Sequence, residues 1–86
     1  MWKLVYTKQA LKDAKKISST GLTKKVQEIL KTLETNPFDT SPPFEKLLGD
    51  LKGAYSRRIN IHNRLVYQIL EETKTIKIIR LWTHYE

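Results

Sequence analysis

The chain has 86 residues, a formal net charge of +7, a sequence pI near 9.8 and 40% hydrophobic residues. A chain this short builds a single domain, read as residues 1–86, and its charge points to a polyanionic partner: nucleic acid, an acidic protein or a membrane surface. It has no cysteine, so it holds neither a disulfide nor a thiolate metal site, and His62 and His84 alone are too few for a histidine-rich zinc centre.

Residues 2–6 (WKLVY) predict a short strand, after which Thr7 offers an N-cap oxygen. In residues 8–18, Ala10, Leu11, Ala14 and Ile17 recur at helical spacing, with Lys8, Lys12, Lys15 and Lys16 outward. SSTG at 18–21 breaks that pattern. A second helix follows over 22–35, with Leu22, Val26, Ile29, Leu30 and Leu33 on one face. Each helix has one apolar stripe and needs a flat surface to cover. NPFDTSPP at 36–43 carries all three prolines and is read as irregular, and FEKLLGDLKG is either a short strand or coil. A hairpin then has strands near 54–60 and 64–71, a turn at 71–74, and a last strand over 75–85. The order β-α-α-β-β-β argues for an α+β fold, with two helices on a twisted, mainly antiparallel sheet. No apolar run reaches membrane-spanning length and the N-terminus lacks a secretory signal, so a soluble cytoplasmic protein without a membrane partner is expected.

The hairpin concentrates the charge. Between Asp50 and Glu71 there is no acidic residue, while Lys52, Arg57, Arg58 and Arg64 all fall in that interval. Arginine forks bind phosphate oxygens in pairs. The plainer reading is a solvated basic hairpin, with Arg64 paired to Glu71, Glu72 or a backbone carbonyl. Strand alternation places Tyr55, Arg57, Ile59 and Ile61 on one face and Ser56, Arg58 and Asn60 on the other; neither set is purely polar, so the core-facing side stays open. In the last strand, Ile76, Ile78, Arg80, Trp82 and His84 alternate with Lys77, Ile79, Leu81, Thr83 and Tyr85, and its first half is apolar enough to be covered on both faces.

RNA cleavage is a reaction these residue types can perform without a metal or cofactor, because the 2′-hydroxyl is itself the nucleophile. It needs a base, cations for the phosphorane and an acid for the 5′-oxygen. Glu45, the lone carboxylate between Thr40 and Gly49, is a candidate base. Arg64 and Arg58 are candidate cations. His84, of a residue type that titrates near ~6.5, is a candidate acid. Tyr85 is a candidate for stacking on a base or for contributing its hydroxyl. Each has a structural competitor: a solvated carboxylate, a strand-end histidine, aromatics closing the core.

The chain resembles the YoeB branch of the RelE-type bacterial toxins, through NPF after the second helix, FEKLLGDLKG, GAYSRRINIHNRLVY and the terminal His84-Tyr85. The resemblance implies an mRNA endonuclease acting in the ribosome, with an acidic YefM-like antitoxin as partner and a homodimer when free. It implies Glu45 as general base, Arg64 on the scissile phosphate, His84 as general acid, Tyr85 in the site and Arg58 as a phosphate contact. Lys46 stands in for a lysine that relatives carry after the leucine, and Lys52 and Arg57 complete the candidate phosphate contacts. Arg57 is open between that role and a structural or ribosome-facing one. Departures from the family are PPFEKLL around Glu45, Ile61-His62-Asn63 where relatives carry acidic residues, and Glu86 after the tyrosine. Two other functions compete on the same scaffold: a ParE-like toxin acting on DNA gyrase, and a non-catalytic RNA- or ribosome-binding module.

Overall fold

A computed structural model describes residues 1–39, 43–46, 53–61 and 63–84, and for 82–84 the backbone alone. The elements are β1 (Lys3–Tyr6), α1 (Lys8–Ile17), α2 (Thr23–Thr35), β2 (Phe44–Lys46), β3 (Ala54–Arg58), β4 (Asn63–Leu70), a 3-10 turn at Glu71–Thr73, and β5 (Thr75–His84). The strands form one sheet in the order β1-β5-β4-β3-β2. Every neighbouring pair is antiparallel except β1 and β5, which run parallel. The expected α+β architecture is present, with one strand more than expected. Phe44–Lys46 pairs with β3 at the sheet edge, so the ambiguous segment begins as a strand. Three residues carry no readable period; the partner strand imposes the extended state.

Thr7 caps α1 as expected, its Oγ1 accepting from the Ala10 amide at 3.0 Å. The same hydroxyl donates to the Ile79 carbonyl at 2.8 Å and so ties the helix start to β5. Gly21 turns the chain between the helices at φ 79°, a conformation that costs a β-carbon-bearing residue energy. Ala10 and Ile17 of α1 and Val26, Ile29 and Leu33 of α2 then close over Leu65, Tyr67, Ile76 and Ile78 of the sheet. Burying each large aliphatic side chain of this set contributes about 1.5–3 kcal/mol before entropy is charged against it.

The alternation expected for β5 fails beyond Ile78. Ile76 and Ile78 are buried, but so is Leu81, an odd position. The reason is in the register: between the pairs Tyr67↔Ile78 and Arg64↔Thr83, β5 runs two residues longer than β4. Coverage on both faces is also not found, since Lys77 is exposed. Where the register slips, the Leu81 amide donates to Oδ2 of the buried Asp13 at 3.2 Å. Arg80 grips the same carboxylate with its Nε at 2.7 Å and Nη2 at 3.2 Å, and Gln9 donates to it at 3.2 Å. Burial alone would raise the Asp13 pKa, but these donors and the Arg80 charge together hold it below the ordinary carboxylate value.

Pleating decides the faces of the hairpin. Tyr55 and Arg57 sit opposite Tyr67 and Leu65 on the side that carries the helices. Ser56 and Arg58 sit opposite Val66 and Arg64 on the other side. On β2, Phe44 and Lys46 share the helix side and Glu45 shares the side of Ser56.

Candidate active site

Three neighbouring strands, β2, β3 and β4, bring Glu45 and Arg64 together across β3, nineteen residues apart in sequence. Arg64 Nη1 lies 3.2 Å from Glu45 Oε1 and 3.4 Å from the Ser56 hydroxyl, which is fully buried beneath them. Arg64 therefore pairs with Glu45, and not with Glu71 or Glu72. The Arg64 side chain is 21% exposed and that of Glu45 63%. An ion pair this open contributes at most about 1 kcal/mol to folding. Among the described residues, Nε and Nη2 of Arg64 have no partner, so that edge of the guanidinium remains for an anion.

Arg58 is directly opposite Arg64 in the hairpin and exposed. The turn that joins them is tight: the Ile59 and Asn60 amides donate to the Asn63 carbonyl at 2.8 and 3.2 Å, and Asn60 Oδ1 accepts from the Asn63 amide at 2.8 Å. Glu45, Arg58 and Arg64 line a cleft of about 570 Å³ together with Pro43, Ile61 and Lys25. Lys25 escaped sequence reasoning because it looks like any outward lysine of α2; only the tertiary fold brings that helix to the cleft. A second cleft of about 560 Å³ is bounded by Glu71 and Glu72, the wrong charge for a phosphate.

The other candidates separate. His84 is described by its backbone, which pairs with Asn63, one position from the Arg64↔Thr83 pair. Tyr85 and Lys52 lie outside the described residues. Lys46 projects from the face of β2 opposite to Glu45 and does not join the cleft. The expectation that Arg57 contacts phosphate is corrected by its burial: no part of it reaches solvent. Its Nε donates to Tyr67 Oη at 3.0 Å, and its Nη2 donates to the carbonyls of Pro37 at 2.9 Å and Asp39 at 2.6 Å. Burial pushes the Tyr67 phenol above its ordinary pKa, partly offset by the Arg57 guanidinium. Tyr67 therefore stays neutral and accepts from the guanidinium.

An exposed carboxylate beside a half-shielded arginine, with a second arginine across the hairpin, can take a proton and hold a phosphate within one cleft. No helix among the described residues is long and apolar enough to cross a membrane. The family model of the YoeB-like toxin of bacterial type II toxin–antitoxin systems matches residues 6–85. Toxin YoeB of Synechocystis sp. is 37% identical over 65 residues, covering 76% of this chain and 73% of its own. The solved YoeB/ParE toxin from Agrobacterium tumefaciens superposes with a TM-score of 0.86 at 28% identity, over 96% of this chain and 99% of that one. The YoeB–YefM complex from Staphylococcus aureus gives a TM-score of 0.81 at 34% identity, over 99% of each toxin chain. A YoeB dimer from Staphylococcus aureus has also been solved and gives a TM-score of 0.82 over 98% of each chain at 34% identity. On these matches, and on a fold shared along nearly its whole length, the chain belongs to the YoeB-like toxins of bacterial type II toxin–antitoxin systems.

Proposed function

We propose that the protein is a ribosome-dependent endoribonuclease that cuts mRNA in the cytoplasm and is neutralised by an acidic antitoxin of the YefM kind. The carrying observation is the Glu45–Arg64 contact of 3.2 Å on the sheet face opposite the helices, beside Arg58. Glu45 takes the proton of a 2′-hydroxyl, and O2′ attacks the adjacent phosphorus. Nε and Nη2 of Arg64, without a partner among the described residues, act with Arg58 to neutralise the charge that grows on the phosphorane oxygens. His84 gives a proton to the departing O5′, leaving a 2′,3′-cyclic phosphate and a 5′-hydroxyl. Tyr85 stacks against a base. The nucleophile comes from the substrate, so the reaction needs no metal to generate it. The net charge of +7 supports both an RNA substrate and an acidic partner, and the free toxin is expected to self-associate as its Staphylococcus aureus relative does.

The termini test the chemistry. RNA recovered from programmed ribosomes should carry 2′,3′-cyclic phosphate at the upstream fragment and 5′-hydroxyl at the downstream one. A 3′-hydroxyl with a 5′-phosphate contradicts transesterification. Loss of supercoiling by DNA gyrase, with mRNA left whole, would assign the ParE-like activity instead. Lys25 is a further phosphate contact in this reading. Lys25→Ala should weaken binding of a single-stranded RNA by less than about 10-fold at any sequence and flatten the salt dependence by about one counterion. The check is fluorescence anisotropy over a range of salt.

A further inference from the structure

The proposed base stands on a strand of three residues, and something must fix where that strand lies. Arg57 of β3 reaches both ends of the segment that leads to it. Its Nη2 holds the carbonyls of Pro37 and Asp39, where the chain leaves α2. Its guanidinium carbon lies 5.1 Å from the centre of the Phe44 ring, where the chain returns as β2. Phe44 is also the ladder partner of Arg57, and the next residue is Glu45. The clamp is itself held: Tyr67 accepts from Nε at 3.0 Å, Tyr67 stacks on Tyr55, and Tyr55 meets Phe44 edge-on at 5.5 Å between centroids.

Taking a guanidinium fully out of water is costly, and a well-packed hydrocarbon at such a site is often as good or better for stability. The fork does what no hydrocarbon can: it joins two carbonyls, a phenol and an aromatic ring through one rigid group. General-base catalysis tolerates little displacement, because the base must stand within hydrogen-bond reach of the proton it takes.

We propose that Arg57 is a positioning residue, which clamps the chain at Pro37, Asp39 and Phe44 so that Glu45 faces Arg64 across β3. The inference rests on Glu45 as the base of the reaction proposed above. Lysine keeps the charge but cannot span the same partners, so Arg57→Lys should lower cleavage at saturating ribosomes by about 10- to 100-fold, with half-saturation changed less than about twofold. In a Glu45→Gln background the same change should cost nothing further, because the group it positions is already gone. A merely structural Arg57 would lower both backgrounds by the same factor, and that result, or no loss in the parent, overturns the proposal. Should Arg57→Lys fail to fold by thermal melt, Arg57→Met keeps the volume without the donors and takes its place in the cycle. Amide hydrogen exchange tests the clamp independently of activity: the variant should expose the amides of residues 44–46 faster while β4 and β5 keep their protection. Unchanged protection in β2 overturns the clamp. If the parent protein leaves mRNA whole, the nuclease reading fails by itself, and exchange still decides whether Arg57 holds the strand.

Discussion

Arg64→Ala is expected to lower mRNA cleavage by about 10³-fold, and Glu45→Gln by about 10²–10³-fold, with thermal unfolding within a few degrees of the parent. The two halves of that expectation come from one geometry. The Glu45–Arg64 pair is exposed, so breaking it removes at most about 1 kcal/mol of stability. The effect on rate is larger because a proton acceptor and an oxyanion donor act only as charge moves in the transition state. Arg64 should show the greater loss, since removing it takes away the phosphate donor and also releases the carboxylate it orients at 3.2 Å. For the same reason the double variant should fall short of the product of the single losses. Single-turnover cleavage on programmed ribosomes, with melting curves of each variant, measures both halves. Loss of activity matched by unfolding would make the pair structural.

The largest effect on stability is expected at Asp13. Asp13→Ala removes a buried acceptor that serves the Arg80 fork, Gln9 and the Leu81 amide, and should cost about 3 kcal/mol. In a domain of this size that corresponds to a melting temperature lower by on the order of 15 °C. The pH dependence follows from the direction of the shift. The folded Asp13 pKa is lower than the unfolded one, so its contribution is fully present above the unfolded value, near ~3.9, and is lost as pH falls through the folded value. The gap in urea stability between the parent and Asp13→Asn should therefore be constant near neutral pH and shrink below about pH 4. A gap that persists unchanged at about pH 2 would mean that packing, and not the ionised carboxylate, sets the cost.

What was legible follows how local each signal is. Thr7 and the stripes Ala10–Ile17 and Val26–Leu33 are local, and both helices appear where their spacing places them. The hairpin and the last strand are legible for the same reason. Faces were not: Arg57 and Arg58 differ only by parity, and the partners that pull Arg57 inward, Pro37, Asp39 and Tyr67, lie ten to twenty residues away. The slip of β5 against β4, and the buried Asp13 that receives the Leu81 amide, were also invisible, because 67 and 68 residues separate the partners. At the site, Glu45, Arg58 and Arg64 were picked out by charge, reaction chemistry and resemblance. The fold adds that the three share one face, that Lys46 does not, and that Lys25 lines the same cleft.

The most direct test of the proposed activity is to map mRNA 5′ ends by primer extension in a translating extract, with and without the protein. Cuts should appear at in-frame positions within the translated region, should vanish when translation is blocked before initiation, and should be lost with Arg64→Ala. Message that remains intact while the folded protein is present, or cuts that ignore the reading frame and persist on naked RNA, would contradict ribosome-dependent cleavage by this site.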